Sequence, residues 1–250
     1  MSTDRGRKGA PTTSTQKRAG SAKSLKALVD TVTSCRACPR LVEWREKVAR
    51  DKRPGFADEN YWGRPVPGFG APDARIAIVG LAPAAHGGNR TGRIFTGDRS
   101  GDFLFASLHR CGFANQPESR HRGDGLLLVG AYVTAAVRCA PPGNKPAPDE
   151  RDRCHPYLVR ELELLHNVRV VVALGSFAWA AALRAHVSLG GTTVRPAPRF
   201  GHGMTAVLER FALVGCFHPS QQNTFTGKLT PTMMDEVFTV ARNLADSLRE

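Results

Sequence analysis

The chain has 250 residues, enough for a substantial buried core without disulfide support, and its 41% hydrophobic and 23% charged residues are the balance of an ordinary globular protein. No apolar run approaches the roughly 18–20 residues that a transmembrane helix needs, and the N-terminus lacks the apolar segment of a secretory signal, so a membrane-spanning or exported protein is not expected. The 35 Lys plus Arg against 22 Asp plus Glu give a net +13, which favours a polyanionic partner, with nucleic acid first among them.

Residues 1–24 carry Arg5, Arg7, Lys8, Lys17, Arg18 and Lys23 against Asp4, spaced by Ser, Thr, Gly and Ala. That composition reads as a disordered basic tail, either solubilising or DNA-tethering, ahead of a single domain over 25–250. Subtracting the tail's net charge still leaves about +8 on the remainder. Residues 24–33 and 41–50 have apolar positions at helical spacing and flank Cys35-Arg-Ala-Cys38-Pro39, a helical elbow around Cys-x-x-Cys. The Gly- and Pro-rich stretch 52–73, with Tyr61 and Trp62, reads as an ordered loop whose aromatic rings need burial.

Four apolar segments follow, at 75–81, 126–137, 168–174 and 207–217, and read as strands alternating with helices near 100–111, 149–166 and 176–184. A last helix starts at Thr230-Pro231, with Met234, Val237, Phe238, Ala241, Leu244, Ala245 and Leu248 on one stripe that belongs to the core. Strands apolar throughout and alternating with helices predict an α/β protein, a three-layer αβα sandwich around a central, mainly parallel four-stranded sheet. Chemistry in such folds gathers beyond the carboxyl ends of the strands. The distinctive local sequences fall there: Gly80-Leu81-Ala82-Pro83, Arg138-Cys139-Ala140-Pro141-Pro142-Gly143-Asn144 and His218-Pro219-Ser220.

In a reducing cytoplasm, the expected compartment, the six cysteines read as metal ligands or thiols rather than bridges. Cys35 and Cys38 with Cys139 and Cys154 make two pairs that could close a four-thiolate site, for zinc or for an iron–sulfur cluster; spacing alone does not choose, and four unligated thiols remain the plain alternative. Cys111 and Cys216 read as small buried hydrophobes.

The segment from Gly80 to Asp98 is rich in glycine but has neither the Gly-Lys-Ser/Thr of a P-loop nor a dinucleotide-binding fingerprint. Within it, Arg90 and Arg93 suit phosphates, Phe95 suits stacking on a planar ring, and Asp98 suits orienting a water or steadying a cation. Duller duties compete: Phe95 as core, Asp98 as a cap for the following helix. His218, after a strand and before Pro219, would be held in a fixed direction and could donate to a developing anion, and the polar run Ser220-Gln221-Gln222-Asn223 suits surface contact with DNA.

Gly80-Leu-Ala-Pro with Thr91-Gly-Arg-Ile-Phe-Thr-Gly-Asp98, Arg138-Cys-Ala-Pro-Pro-Gly-Asn144 and His218-Pro-Ser-Gln-Gln-Asn-Thr, in that order and with the four cysteines, resemble the uracil-DNA glycosylase superfamily, most closely its iron–sulfur family-five (type B) members, over residues 31–248. The resemblance implies a structural four-iron, four-sulfur cluster on Cys35, Cys38, Cys139 and Cys154. It also implies a monofunctional enzyme that excises a deaminated base from DNA and starts base excision repair. A base inside a duplex must be flipped out, which calls for phosphate clamps and a wedge. Under this reading His218 faces the anion developing on the base, and Asp98 and Asn144 serve the sugar cation and the attacking water. Phe95 stacks on the base, and Gly80, Leu81 and Ala82 line the pocket.

Two positions depart from the pattern: Ala82 stands where many relatives place a water-positioning Asp or Asn, and Ala135 where uracil-specific iron–sulfur relatives place an Asn that reads the base edge. Loss of that reader predicts a broader set: uracil with hypoxanthine, xanthine or etheno-cytosine. The alternative from another class is a non-catalytic, metal-stabilised protein that binds DNA lesions. A zinc nuclease or deaminase fits less well, because no His-x-Glu precedes the cysteines and four thiolates leave no open metal position. A monomer associated with the nucleoid is the expected state.

Overall fold

The computed structural model describes residues 14–248. In chain order the regular elements are α1 (Ser14–Ser21), α2 (Leu25–Thr33), α3 (Pro39–Asp51), β1 (Phe69–Gly70), β2 (Ile76–Gly80), α4 (Gly88–Thr91), α5 (Arg99–Arg110), β3 (Ala131–Ala135), α6 (Pro148–Leu164), β4 (Val170–Leu174), α7 (Ser176–Ser188), β5 (Thr205–Val207), β6 (Ala212–Cys216), α8 (Gln221–Phe225) and α9 (Pro231–Ser247).

β2, β3, β4 and β6 are the four expected strands; they pair in parallel, and every residue in them is buried. Continuous runs such as Val170-Val-Val-Ala-Leu174 tolerate this because both sheet faces are covered. Ile76, Ile78, Val170, Val172 and Val214 pack on Leu104, Phe105, Val237 and Phe238 from α5 and α9. Their alternates Ala77, Val79, Val171, Ala173 and Leu213 pack on Leu158, Trp179 and Ala182 from α6 and α7. The α9 stripe is set as expected, with Pro231 in the first turn and Thr230 Oγ1 accepting from the Met233 N–H at 3.3 Å.

The sheet has six strands rather than four, in the order β1-β3-β2-β4-β6-β5. β1 and β5 close its two edges in antiparallel pairing. Both escape a pattern search because they are two and three residues long and carry no apolar run. β1 lies inside the stretch read as loop. The segment 207–217 read as one strand holds only the last residue of β5 together with all of β6, and the chain turns back on itself between Leu208 and Phe211. Only 131–135 of the long apolar run 126–137 joins the sheet; Leu128 instead bridges to Ala114.

The basic tail expected over 1–24 ends earlier than its composition suggests. Thr15, Ala19 and Ala22 are buried, and α1 lies along α6, where Arg160 Nε donates to the Ala22 carbonyl at 2.8 Å. Small side chains one helical turn apart allow this close approach, and their low hydropathy hides it from a compositional reading. The remaining tail residues, 1–13, lie outside the described residues.

Two ion pairs are buried in the body. Arg138, just beyond β3, meets Glu161 of α6 at 2.5 Å, with Tyr132 and Thr134 donating to the same carboxylate. Arg93 meets Asp124 at 2.5 Å. Charges so enclosed are tolerated because each carboxylate accepts from several donors, although Arg138 Nε finds no acceptor among the described residues, and removing one member would strand the other. Among the described residues no helix is long and apolar enough to cross a membrane.

Candidate active site

The loops after β2, β3 and β6 enclose a cleft with about 1230 Å³ of empty space, partly open to solvent. Leu81, Ala82 and Ala84 line one wall, and Phe95, Asp98, Arg99 and Ser100 come from the far end of the same connection. Asn144, His218, Ser220, Gln221 and Gln222 complete it. Three stretches distant in sequence thus meet at the carboxyl edge of the sheet, where doubly wound folds hold their ligands.

Phe95 is the floor of this cleft, and its placement is dictated locally. Its backbone is left-handed, at φ 51°, a conformation that a bulky residue adopts only under constraint. Two glycines permit it. A Cβ on Gly80 would stand 2.6 Å from the Phe95 ring, and a Cβ on Gly101 only 1.9 Å from the Phe95 carbonyl oxygen.

Asp98 does both jobs that its sequence position allowed. It is the N-cap of α5, with Oδ1 accepting from the Gly101 N–H at 3.0 Å, and it also lines the cleft. A Cβ on Gly87 would lie 2.0 Å from its Oδ2, so the backbone of the glycine-rich loop is pressed against the carboxylate. Burial raises the Asp98 pKa above the ordinary aspartate range, opposed by hydrogen bonds from the α5 N-terminus.

His218 stands 5.9 Å from Phe95, ring centroid to ring centroid, at an interplanar angle of 37°. Its backbone carbonyl is gripped by two donors at 2.8 Å, the Ser220 N–H and Asn223 Nδ2. Burial lowers its pKa to about 4, so at neutral pH the imidazole is uncharged and presents one N–H donor. Asn144 ends a short turn in the left-handed region, at φ 56°, which asparagine accepts more readily than most residues, and presents its side chain at the exposed lip. Ser220 caps α8, its Oγ accepting from the Asn223 N–H at 3.4 Å, while Gln221 and Gln222 are exposed on the cleft wall.

Five of the expected site residues lie outside the cleft lining: Arg90, Arg93, Ala135, Gly80 and Asn223, whose amide is turned to the His218 carbonyl. Arg90 and Arg93, expected to meet phosphates, are buried and held internally. Arg90 pairs with Glu59, donates to the carbonyls of His86 at 2.7 Å and Gly97 at 2.9 Å, and lies over the Phe56 ring. Arg93 joins Asp124, Ser119 and Thr96. A glycine-rich loop has few side chains with which to pin itself, and these guanidiniums supply the pins that hold Phe95 and Asp98 in place. Ala135, expected at the base, is buried within β3 as the ladder partner of Gly80, outside the cleft lining. Gly80 itself acts beneath the lining by making room for Phe95.

Arg99 was missed by sequence reasoning. It is exposed, lines the cleft, and sets its guanidinium 5.4 Å from the Phe225 ring. The available signal was its place immediately after the capping Asp98, where a first-turn side chain points back toward the cap.

Cys35, Cys38, Cys139 and Cys154 line one cavity beneath this edge, with about 350 Å³ of empty space. Among the described residues no three His, Cys, Asp or Glu side chains form a group that could hold a metal ion. The donors around the sulfurs are nevertheless those that a thiolate cluster needs: Arg45 Nη1 donates to Cys139 Sγ at 3.0 Å and the Arg138 N–H to Cys154 Sγ at 3.2 Å. The Nε of Arg45, buried, finds no acceptor among the described residues. Burial pushes the Cys139 thiol up to about 11 and the Cys154 thiol higher still. The Cys139 and Cys154 thiols would stay protonated unless a cation drew them into the thiolate form.

A family model described as the uracil DNA glycosylase superfamily matches residues 67–242, and the chain belongs to that superfamily. Relatives resolve the branch. The chain is 56% identical over 229 residues to a type-5 uracil-DNA glycosylase of Mycobacterium tuberculosis, covering 91% of this chain and 84% of that protein. A type-5 uracil-DNA glycosylase of Thermus thermophilus is 53% identical over 220 residues, 88% of this chain and 97% of that protein. A type-4 uracil-DNA glycosylase of Archaeoglobus fulgidus matches at 35% over only 114 residues, 45% of this chain and 49% of that protein.

Proposed function

We propose that the protein is a DNA glycosylase that hydrolyses the N-glycosidic bond of uracil in DNA, leaves an abasic site, and so opens base excision repair. The observation that carries this reading is the convergence of Phe95, Asp98, Asn144 and a neutral His218 on one cleft. The type-5 relatives, which carry this activity in their names, support it.

Breaking the bond makes the base anionic and the sugar cation-like, as in glycoside hydrolysis. His218 donates its N–H to the developing anion. A neutral donor suits this task, since its proton is shared with the departing base without first discharging an imidazolium. Asp98 supplies the negative charge facing the sugar and, with Asn144, holds the water that completes hydrolysis. Phe95 stacks against the base and keeps bulk water away from the breaking bond. The net charge of +13 favours the polyanionic substrate, and Arg99, Gln221 and Gln222 border the path by which it enters. Among the described residues that line the cleft, none offers an amine for imine chemistry with the sugar, which favours a monofunctional reaction.

The substrate set extends to hypoxanthine, xanthine or etheno-cytosine. Ala135, the ladder partner of Gly80, has a side chain with no donor or acceptor with which to read a base edge. Competition between uracil-containing and hypoxanthine-containing duplexes tests this extension: release of uracil alone would restrict the enzyme to one base.

Cys35, Cys38, Cys139 and Cys154 hold a four-iron, four-sulfur cluster in this reading. When bound, it would tie the α2–α3 elbow to the β3–α6 connection as a structural cross-link. Iron and sulfide analysis, with absorbance near about 400 nm, tests the assignment. Cys154→Ser should abolish that absorbance and lower the melting temperature, whereas a colourless, iron-free protein of unchanged stability would remove the cluster from the account. The protein acts within the nucleoid in this reading, a placement that its net charge of +13 supports.

A further inference from the structure

We infer that Arg45 is the counter-charge of the four-cysteine site: its buried guanidinium balances the negative charge of the loaded cluster, helps to retain it, and raises the potential at which it takes up an electron. The inference rests on the cluster assignment proposed above and adds to it a residue outside the ligand set.

Four arginines among the described residues are buried, namely Arg45, Arg90, Arg93 and Arg138. A guanidinium does not give up its proton on burial, so each needs an anion. Arg90 has Glu59, Arg93 has Asp124 and Arg138 has Glu161. Arg45, only 2% exposed, is the exception. Its one carboxylate contact among the described residues is with Glu46, at 3.9 Å, and both oxygens of Glu46 are already taken by Arg36, at 2.5 and 3.2 Å.

The guanidinium reaches the cysteines instead. Nη1 donates to Cys139 Sγ at 3.0 Å and Nη2 to the Cys35 carbonyl at 3.2 Å, so one side chain spans both cysteine pairs. Its backbone is held as well, because the fully buried Asn89 donates from Nδ2 to the Arg45 carbonyl at 3.1 Å. Arg45 and the four cysteines line the same cavity. The other two arginines on that wall already have carboxylates, Arg138 in Glu161 and Arg153 in Asp149 at 3.3 Å. Arg45 therefore brings the positive charge that no carboxylate offsets.

A neutral thiol is a weak acceptor and carries no charge, so four thiols would leave this guanidinium stranded. Four thiolates outweigh the positive charge of an iron–sulfur core, and the loaded site is an anion. That anion is the partner that the other buried arginines find in a carboxylate. Uptake of an electron makes it more negative still, and a fixed cation in hydrogen-bond contact with a ligand sulfur favours that state. Neutralising Arg45 should lower the reduction potential.

Iron content and the potential of the cluster, measured by spectroelectrochemical titration with dithionite as reductant, test this in wild type, Arg45→Gln and Arg45→Lys, with circular dichroism as the check on folding. Arg45→Lys, which keeps the charge, should keep the iron and the wild-type potential. Arg45→Gln should either lose iron or retain it with a potential lower by about 30 mV or more, the one-electron equivalent of roughly threefold in the redox equilibrium. Loss of folding in Arg45→Gln but not in Arg45→Lys counts with loss of iron, since the cluster cross-links the fold. Wild-type iron content and a smaller shift in Arg45→Gln would overturn the inference, and so would equal effects of the two substitutions, which would make Arg45 a matter of shape rather than charge. Failure of the cluster assignment itself has a separate signature, since the wild-type protein would then contain no iron.

Discussion

Asn in place of Asp98 separates the two duties that the structure gives this carboxylate. As an N-cap, Asn is the equal of Asp, and its Oδ1 can accept the same hydrogen bond from Gly101, now 3.0 Å long. The stability of α5 should therefore change by no more than about 0.5 kcal/mol, since the cap survives and a buried charge disappears. The charge that faces the sugar and water is lost, and general-base and electrostatic assistance of this kind is worth roughly 10²–10⁴ in rate. Asp98→Ala removes the cap as well, adding a stability loss of about 1 kcal/mol to the same rate defect. Gly87→Ala reaches the site from outside: its new Cβ would fall 2.0 Å from Oδ2 and push the carboxylate away with its chemistry intact. The assay is single-turnover base release as a function of pH, beside thermal melting. Because burial raises the Asp98 pKa, the acid limb of the wild-type profile should lie above the range of an ordinary carboxylate, and Asp98→Asn should abolish that limb. An Asp98→Asn rate within about threefold of wild type, with the acid limb unmoved, would take Asp98 out of the reaction and leave it a helix cap.

Other expectations follow from the same geometry. His218→Ala should slow base release by on the order of a hundredfold, the usual cost of one preorganised donor, and unchanged single-turnover rates would remove His218 from the chemistry. The same histidine makes stability depend on pH. Its pKa falls from an ordinary value near 6.5 to about 4, so its contribution is complete above pH 6.5 and lost as pH drops toward 4, by roughly 3 kcal/mol. Denaturant titrations across that window should show a steeper loss in wild type than in His218→Gln, and parallel curves would contradict the burial argument. Arg93→Met should cost about 3–5 kcal/mol by stranding the Asp124 carboxylate while leaving the salt dependence of DNA binding unchanged. Arg99→Gln should do the reverse, reducing the salt slope by about one with little effect on melting. A salt slope that tracks Arg93 and ignores Arg99 would restore the phosphate-clamp role that burial denies to Arg93.

The sequence made legible what depends on local pattern. Runs such as Val170–Leu174 could only be doubly covered strands, and the α9 stripe could only be core. The three loops at the carboxyl edge were readable because Gly, Pro and polar residues interrupt each apolar run at the same topological point. Charge was the misleading signal: Arg90 and Arg93 look like anion receptors in a glycine-rich loop, yet their acceptors, Glu59 and Asp124, lie 31 residues away in opposite directions. Pairing at that separation is fixed by tertiary packing, and a linear pattern does not encode it. Polar composition likewise hid α1, whose contact with α6 rests on Thr15, Ala19 and Ala22 rather than on an apolar face. Arg99 and Phe225 belong to different motifs, and their contact became visible only in three dimensions.

The most direct test of the central claim is alkaline strand scission. Purified protein is incubated with a duplex carrying one uracil, and the DNA is resolved with and without subsequent alkali. A glycosylase built on Asp98, Asn144 and His218 predicts a cut at the uracil position only after alkali, since base removal leaves the backbone whole. An intact strand after alkali, from protein that still binds the uracil duplex, would contradict catalysis and leave lesion binding as what the cleft does.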